Sequence, residues 1–165
     1  FRSQIGFLLP LAEKFKGHAM AGRTHWQHAV PITFGLKVAF WVDELARQLK
    51  RVQHCRHQVS VYQMSGSAGT FASLGEHGPK VQAAFEKRIG LRAPDAPWYN
   101  MRDNFAELIN TLGMIAATYE RICNETGRLS STEIGEVWEA QTKTQVGSSA
   151  MPQRSEEHTS ELQSH

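Results

Sequence analysis

Apolar side chains recur every three or four residues along two long stretches of the chain. The first stretch runs from Lys37 to Met64, with charged residues between its apolar positions, and the second runs from about Met101 to Leu129. This spacing places the apolar side chains on one face of a helix. Long helices need neighbours along their length, because most helical stability comes from packing the apolar face. The pattern therefore predicts an all-α fold, a bundle of long helices.

Two shorter helices and three loops complete the predicted organisation. An opening helix is expected from Ser3 to about Lys16 despite Pro10, and a short helix from Pro79 to Arg88. No segment has convincing strand character. The predicted loops are Ala21 to Gly35, Ser65 to Gly75 and Gly147 to Gln153. Because binding and catalytic residues concentrate in loops held by a rigid frame, these three loops are the candidate functional segments.

The composition is that of an ordinary globular protein and disfavours several classes of function. The formal net charge is +2, with no dense basic stripe, so we expect no nucleic-acid partner. No apolar run is long enough to predict a membrane span. The two cysteines, Cys55 and Cys123, lie far apart in predicted helices, and we expect buried thiols in a reducing compartment, the cytoplasm by default.

The two ends of the chain suggest a fragment. The sequence begins at Phe1 inside a helical pattern, and residues 154–165 read RSEEHTSELQSH, a polar string without apolar periodicity. That string resembles the in-frame translation of a short sequencing adapter, and a natural charged tail is the alternative interpretation. We therefore expect residues 1–153 to be a fragment of a larger helical protein and residues 154–165 to be a non-native, adapter-like tail.

The string GSSAMP, residues 147–152, has the composition of an anion-binding loop. Small residues around Ser148 let backbone amides approach a negative group closely, and such a loop could close over a substrate and exclude water. A plain surface linker also contains glycine and serine. Composition alone therefore favours a linker.

The string GRTHWQHAVPITFG, residues 22–35, offers several polar groups before Pro31. Thr24, His25, Gln27 and His28 supply hydrogen-bond donors, and imidazole can exchange a proton near neutral pH. A lone histidine is more often structural than catalytic. A zinc site built on His25 and His28 lacks a third ligand nearby, so we expect no metal.

A third string, WYNMRDNFAE, contains Arg102 near the predicted start of a helix. A guanidinium can hold a carboxylate or a phosphate through two parallel hydrogen bonds. The neighbouring Asp103 makes a surface ion pair the simpler interpretation of this arginine when it is considered alone.

Together, these strings resemble segments of the fumarase/aspartase superfamily, on its adenylosuccinate lyase and 3-carboxy-cis,cis-muconate cycloisomerase branch. They occur in the same order and at similar separations across nearly all of residues 1–153. GSSAMPQ resembles the opening of the superfamily signature GSSxMPxKxNP, and GRTHWQHAVPITFG and SGSAGTFASLG resemble the corresponding segments of the branch. The run TEIGEVWE, residues 132–139, fits as a helix. The implied fold is part of the central helical domain of that superfamily.

The resemblance also implies a mechanism and the residues that perform it. Ser148 matches the general base that removes a proton beside a carboxylate, and His25 matches the general acid that protonates the leaving nitrogen. The implied substrate-binding residues are Thr24, Gln27, Ser65, Arg102, Ser149 and Met151. The signature's lysine and asparagine are replaced here by the tail, so we expect an incomplete catalytic loop and a chain that is inactive alone.

By this resemblance, the parent protein is a lyase that eliminates fumarate from a succinyl-amine such as adenylosuccinate. Such an enzyme takes a small dicarboxylate-type substrate, needs no cofactor and forms a homotetramer whose sites combine several subunits. A carboxymuconate cycloisomerase is an alternative, suggested by the Pro-Trp pair before Arg102, although that branch often lacks the histidine at position 25. A non-enzymatic helical scaffold, like the lens crystallins related to argininosuccinate lyase, is a second alternative, disfavoured by the presence of Ser148 and His25.

Overall fold

The computed structural model describes residues 1–138, and most of them are helical. In chain order the elements are α1 (Arg2–Lys14), β1 (Ala19–Thr24), β2 (Gln27–Thr33), α2 (Phe34–Val59), a short 3-10 turn (Gly75–His77), α3 (Gly78–Ile89) and α4 (Asp103–Leu129). The chain divides into one compact unit at residues 1–123 and a second at residues 124–165. The prediction of a mainly α-helical fold with two long helices is confirmed.

Local hydrogen bonds place both ends of α2 earlier than the apolar pattern predicted. The Thr33 side-chain oxygen accepts a hydrogen bond from the Leu36 amide at 3.1 Å, which caps the start of the helix. Beyond the other end, the Tyr62 amide donates to the Arg92 carbonyl at 3.1 Å instead of extending the helical pattern. The helix therefore ends at Val59.

The two long helices pack together along a seam that contains buried polar side chains. On α2, Val38, Trp41 and Leu45 are also buried. Nearby, the Gln48 side-chain amide donates to the Thr118 hydroxyl at 2.9 Å, and the Cys55 sulfur lies 3.2 Å from the Thr111 hydroxyl. Buried polar groups are costly unless they are paired, so these bonds favour one alignment of the two helices. The two long helices predicted from the apolar spacing are therefore neighbours.

The prediction that the chain contains no strand was wrong for residues 19–33, which form an antiparallel hairpin. Met20 pairs with Ile32, and Ala21 pairs with Pro31. Proline lacks an amide donor, but it is tolerated here because each strand of a two-stranded sheet has an unpaired edge. The segment predicted as a loop is therefore a hairpin that leads directly into α2.

The second unit has its own local structure over residues 124–138. The Leu129 carbonyl accepts hydrogen bonds from the Glu136 amide at 2.8 Å and the Val137 amide at 3.3 Å. Gly135 adopts a left-handed conformation, with φ +55°. These contacts fold residues 132–138 into a turn and irregular structure, so the helix expected for TEIGEVWE was wrong over its described residues.

The remaining expectations for helices and cysteines had mixed outcomes. Both α1 and α3 lie within two residues of their predicted bounds, and Pro10 lies inside α1 as expected. Cys55 and Cys123 are free thiols, but only Cys55 is buried, so the expectation of a second buried thiol was wrong. Over residues 1–138, no helix combines the length and apolar character needed to cross a membrane.

Candidate functional site

A cavity of about 470 Å³ lies where residues 61–66 approach residues 98–105. Its lining residues are Val61, Gln63, Met64, Ser65, Gly66, Trp98, Tyr99, Arg102 and Phe105. Two of the predicted substrate-binding residues, Ser65 and Arg102, therefore line the same cavity although they are far apart in sequence. We call this space the Ser65–Arg102 cavity.

Glycines shape the loop that carries Ser65. Gly66 and Gly69 both have positive φ, at +76° and +79°. The Gly69 amide donates to the Gly66 carbonyl at 3.2 Å, and the Phe71 amide donates to the Ser65 carbonyl at 2.9 Å. A Cβ atom at position 69 would lie 3.2 Å from a ring carbon of Tyr99, which is a tight contact. Glycine therefore allows both the turn and the close approach of the tyrosine ring.

Two side chains connect the Ser65 loop to the opposite wall of the cavity. The Gln63 side-chain oxygen accepts a hydrogen bond from the Trp98 amide at 3.1 Å. The Tyr99 hydroxyl accepts one from the Gly69 amide at 3.0 Å and lies 3.4 Å from the Ser65 hydroxyl. Ser65 itself is only 7% exposed. These contacts hold Ser65 in a defined position in the wall.

Arg102 lies immediately before α4. The apolar pattern had predicted a helix from about Met101, which would have included Arg102. Its carbonyl accepts the Ala106 amide at 2.8 Å. Its guanidinium Nη1 donates to the Trp98 carbonyl at 3.3 Å and to the Met101 carbonyl at 2.9 Å. A guanidinium carries donors on three nitrogens, and both of these bonds use the same one. The backbone thus orients the group without using all of its donors.

The rest of the cavity wall is mainly apolar and aromatic. The rings of Trp98 and Phe105 meet edge to face, with their centroids 6.1 Å apart. Apolar side chains beside a guanidinium lower the local dielectric constant and strengthen its attraction to an anion. The first turn of α4 also favours negative charge because of the helix dipole. The arrangement suits a small anion attached to an apolar or planar group.

The other predicted residues of the described chain lie together at the tip of the hairpin. Thr24 pairs with Gln27, and His25 and Trp26 form the turn between them. All four residues are exposed, and His25 and Trp26 have φ of +48° and +65°. Residues with a Cβ atom reach this region at a cost of about 1 kcal/mol or more each. Strain of this kind often marks a functional position.

The hairpin tip and the Ser65–Arg102 cavity are separate groups of residues. Thr24, His25 and Gln27 are not among the residues that line the cavity in the part of the chain that the structure describes. The structure therefore brings Ser65 together with Arg102, but it does not bring His25 to them.

Three predicted site residues, Ser148, Ser149 and Met151, lie outside the described residues, and their roles stay predictions. Across residues 1–138, no group of three or more histidine, cysteine, aspartate and glutamate side chains is arranged to hold a metal ion. Sequence reasoning missed Gln63 and Tyr99 as cavity residues. Gln63 lies two residues before the string SGSAGTFASLG, and Tyr99 lies within WYNMRDNFAE, but neither position indicated a role because the contacts that matter form only in the fold.

Most of the chain matches a family model and several curated relatives. The family model described as lyase matches residues 5–162. This chain belongs to the lyase family. An adenylosuccinate lyase from Methanothermobacter thermautotrophicus is 42% identical over 156 residues, which cover 93% of this chain and 35% of that protein. An N-acetyl-S-(2-succino)cysteine lyase from Dickeya dadantii is 40% identical over 144 residues, covering 87% and 32%.

The chain is also similar to a cycloisomerase and to proteins of known structure. A 3-carboxy-cis,cis-muconate cycloisomerase from Pseudomonas aeruginosa is 37% identical over 147 residues, covering 87% of this chain and 32% of that protein. A fumarate lyase structure from Mesorhizobium sp. BNC1 matches with a TM-score of 0.76 and 34% identity, covering 81% and 32%. A 3-carboxy-cis,cis-muconate lactonizing enzyme from Pseudomonas putida matches with a TM-score of 0.79 and 33% identity, covering 84% and 32%.

These relatives confirm the superfamily and the fold that the motifs implied. The chain spans about a third of the length of the curated relatives that it matches. The relatives differ in the reaction that their names describe, so membership of the lyase family does not by itself select one substrate.

Proposed function

We propose that the parent protein is a lyase that eliminates fumarate from a succinyl-amine substrate such as adenylosuccinate. The observation that supports this most strongly is that Ser65 and Arg102 line one cavity with aromatic walls. Succinyl substrates carry two carboxylates, and one of them needs a cationic group with apolar side chains beside it. The Ser65–Arg102 cavity offers these properties.

In this proposal Arg102 holds the carboxylate and Ser65 donates a further hydrogen bond to it. Carbonyls already orient the guanidinium, so little side-chain freedom is lost when a carboxylate binds. Charge-assisted hydrogen bonds of this kind are stronger than neutral ones. The apolar wall formed by Trp98 and Phe105 then faces the rest of the substrate.

The proposed chemistry needs a base and an acid that the cavity does not contain. Ser148 would remove the proton beside the carboxylate and form a doubly charged aci-carboxylate, which nearby hydrogen-bond donors stabilise. The carbon–nitrogen bond then breaks, and His25 would protonate the leaving nitrogen. We assign Thr24, Gln27, Ser149 and Met151 to substrate contacts around these two groups.

The exposed hairpin tip supports a site assembled from more than one copy of the chain. Within the described part of the chain, His25 is not one of the residues that line the Ser65–Arg102 cavity. A homotetramer of the parent protein could bring the tip of one subunit to the cavity of another. This arrangement would also explain why a strained turn is retained at an exposed position.

A second candidate function is elimination of fumarate from a succinyl thioether. The relative from Dickeya dadantii, named as an N-acetyl-S-(2-succino)cysteine lyase, favours it. The same carboxylate cavity would serve this substrate, because the succinyl half is shared and only the leaving atom differs. A carboxymuconate cycloisomerase is a third candidate, supported by the relative from Pseudomonas aeruginosa.

The test is to incubate the full-length parent protein separately with adenylosuccinate, N-acetyl-S-(2-succino)cysteine and 3-carboxy-cis,cis-muconate. We expect fumarate release from adenylosuccinate, and we expect Arg102→Met to raise the KM by about 10- to 100-fold, because a charge-assisted hydrogen-bonded pair is lost. Turnover of only one of the other two substrates would replace the first proposal with that function. Turnover of none would favour a non-enzymatic scaffold.

A further inference from the structure

Tyr99 occupies a position that the proposed mechanism does not yet use. It lines the Ser65–Arg102 cavity, and its hydroxyl contacts both the backbone and a side chain of the opposite loop. The Gly69 amide donates to this hydroxyl at 3.0 Å, and the Ser65 hydroxyl lies 3.4 Å away. One tyrosine oxygen therefore joins the rigid turn of the loop to the polar side chain in the cavity wall.

Either hydroxyl can be the donor in the contact between Ser65 and Tyr99. A tyrosine hydroxyl carries one proton and can also accept hydrogen bonds. Because the Tyr99 oxygen accepts from the Gly69 amide, its own proton is available for the Ser65 oxygen. When Ser65 accepts that proton, its own hydroxyl proton is free for a third partner. Only the direction in which Tyr99 donates and Ser65 accepts leaves the Ser65 proton free in this way.

The third partner that fits is an anion beside Arg102. Ser65 is nearly buried in the wall and shares the cavity with the guanidinium. A serine that donates hydrogen bonds strengthens anion binding, whereas one that accepts from the ligand does not. A carboxylate offers only acceptor atoms when it is ionised.

We propose that Tyr99 is a positioning residue that orients the Ser65 hydroxyl as a donor toward a carboxylate bound beside Arg102. This inference rests on the proposed function, because it requires a carboxylate in the cavity. Tyr99 need not touch the substrate to have this effect. Its hydroxyl acts through Ser65, so its contribution should disappear when the serine hydroxyl is removed.

The chain contains a matched tyrosine that serves as a control. Tyr62 is buried, and its hydroxyl donates to the Gln82 carbonyl at 3.0 Å. It precedes the same loop but does not line the Ser65–Arg102 cavity. Tyr62→Phe therefore removes a hydroxyl and one hydrogen bond, as Tyr99→Phe does, without changing the partners of Ser65.

The experiment measures succinate binding to the full-length parent protein by titration calorimetry, with thermal unfolding to check each variant's fold. We expect Tyr99→Phe to raise the Kd by about 3- to 10-fold, which is the worth of one net hydrogen bond. We expect Tyr62→Phe to change the Kd by less than about twofold. In a Ser65→Ala background, adding Tyr99→Phe should cause little further loss.

The outcomes separate this inference from the proposed function. If Ser65→Ala and Arg102→Met weaken binding but Tyr99→Phe behaves like Tyr62→Phe, the role of Tyr99 is wrong and the carboxylate cavity stands. If Tyr99→Phe weakens binding equally with and without the Ser65 hydroxyl, Tyr99 only supports the loop and the inference is also overturned. If neither Ser65→Ala nor Arg102→Met weakens succinate binding, the assignment of the cavity itself fails and this inference fails with it.

Discussion

The turn at the tip of the hairpin yields the sharpest prediction, because stability and activity should change in opposite directions there. His25 has a left-handed backbone conformation, with φ +48°. This conformation costs about 1 kcal/mol of free energy for histidine, whereas asparagine adopts it more readily. We expect His25→Asn to raise the free energy of unfolding by about 0.5–1 kcal/mol. For a chain of this size, 1 kcal/mol corresponds to a rise in Tm of about 2–4 °C.

The same substitution should remove the proposed general acid. Proton transfer by a positioned side chain contributes about 100- to 10,000-fold to a rate, so we expect kcat of the full-length parent protein to fall within that range. Thermal unfolding of the 165-residue chain measures the first effect. Steady-state fumarate release by the full-length protein measures the second.

His28→Asn provides a matched control for the stability effect. His28 lies in β2 of the same hairpin and is not among the residues with positive φ. Asparagine is a poor strand residue, so we expect this control to lose a few tenths of a kcal/mol rather than to gain stability. A lower Tm for His25→Asn than for the control would refute the strain argument. An unchanged kcat for His25→Asn would refute the assignment of His25 as the acid.

Three further predictions test the packing of the helices. Leu45→Ala should lower the free energy of unfolding by about 2–5 kcal/mol in a denaturant titration, because Leu45 is 1% exposed between α2 and its neighbours. Gly35→Ala should destabilise the protein by at least about 1 kcal/mol, since the new Cβ would lie 2.4 Å from the Ala12 carbonyl oxygen. The control Gly6→Ala, whose Cβ would have nothing within 4 Å, should stabilise α1 by about 0.5–1 kcal/mol. Equal effects of the two substitutions in thermal unfolding would contradict the close approach at position 35. Thr118→Val should cost about 1–3 kcal/mol in the same titration, because the buried Gln48 amide keeps only its longer hydrogen bond, 3.4 Å to the Met114 carbonyl, and Glu44 loses a donor. A neutral effect would show that the Thr118 hydroxyl does not stabilise the seam.

The helices could be predicted because their apolar spacing is a local property of the sequence. The predicted ends of α2 were less accurate, since they depend on hydrogen bonds with distant or capping groups. The bond from the Tyr62 amide to the Arg92 carbonyl is one example, and no local pattern indicates it. The helix predicted for the TEIGEVWE segment was wrong for a similar reason. The amides of Glu136 and Val137 donate to the Leu129 carbonyl instead of to carbonyls four residues before them, as they would in a helix.

The hairpin could not be predicted because its signals are unusual. Its turn contains His25 and Trp26, whereas the turn type with two positive φ values normally contains asparagine and glycine. Its second strand contains Pro31, which normally argues against a strand. Among the candidate site residues, Ser65 and Arg102 were predicted individually from two strings. Their shared cavity, and the part that Tyr99 has in it, could be seen only in the folded chain.

The most direct test of the account is a crystal structure of the full-length parent protein with fumarate bound. We predict that one carboxylate of fumarate lies within about 2.7–3.2 Å of both the Arg102 guanidinium and the Ser65 hydroxyl, with the hairpin tip of another subunit close by. Fumarate bound elsewhere, with the Ser65–Arg102 cavity empty, would contradict the proposal that this cavity recognises the substrate carboxylate.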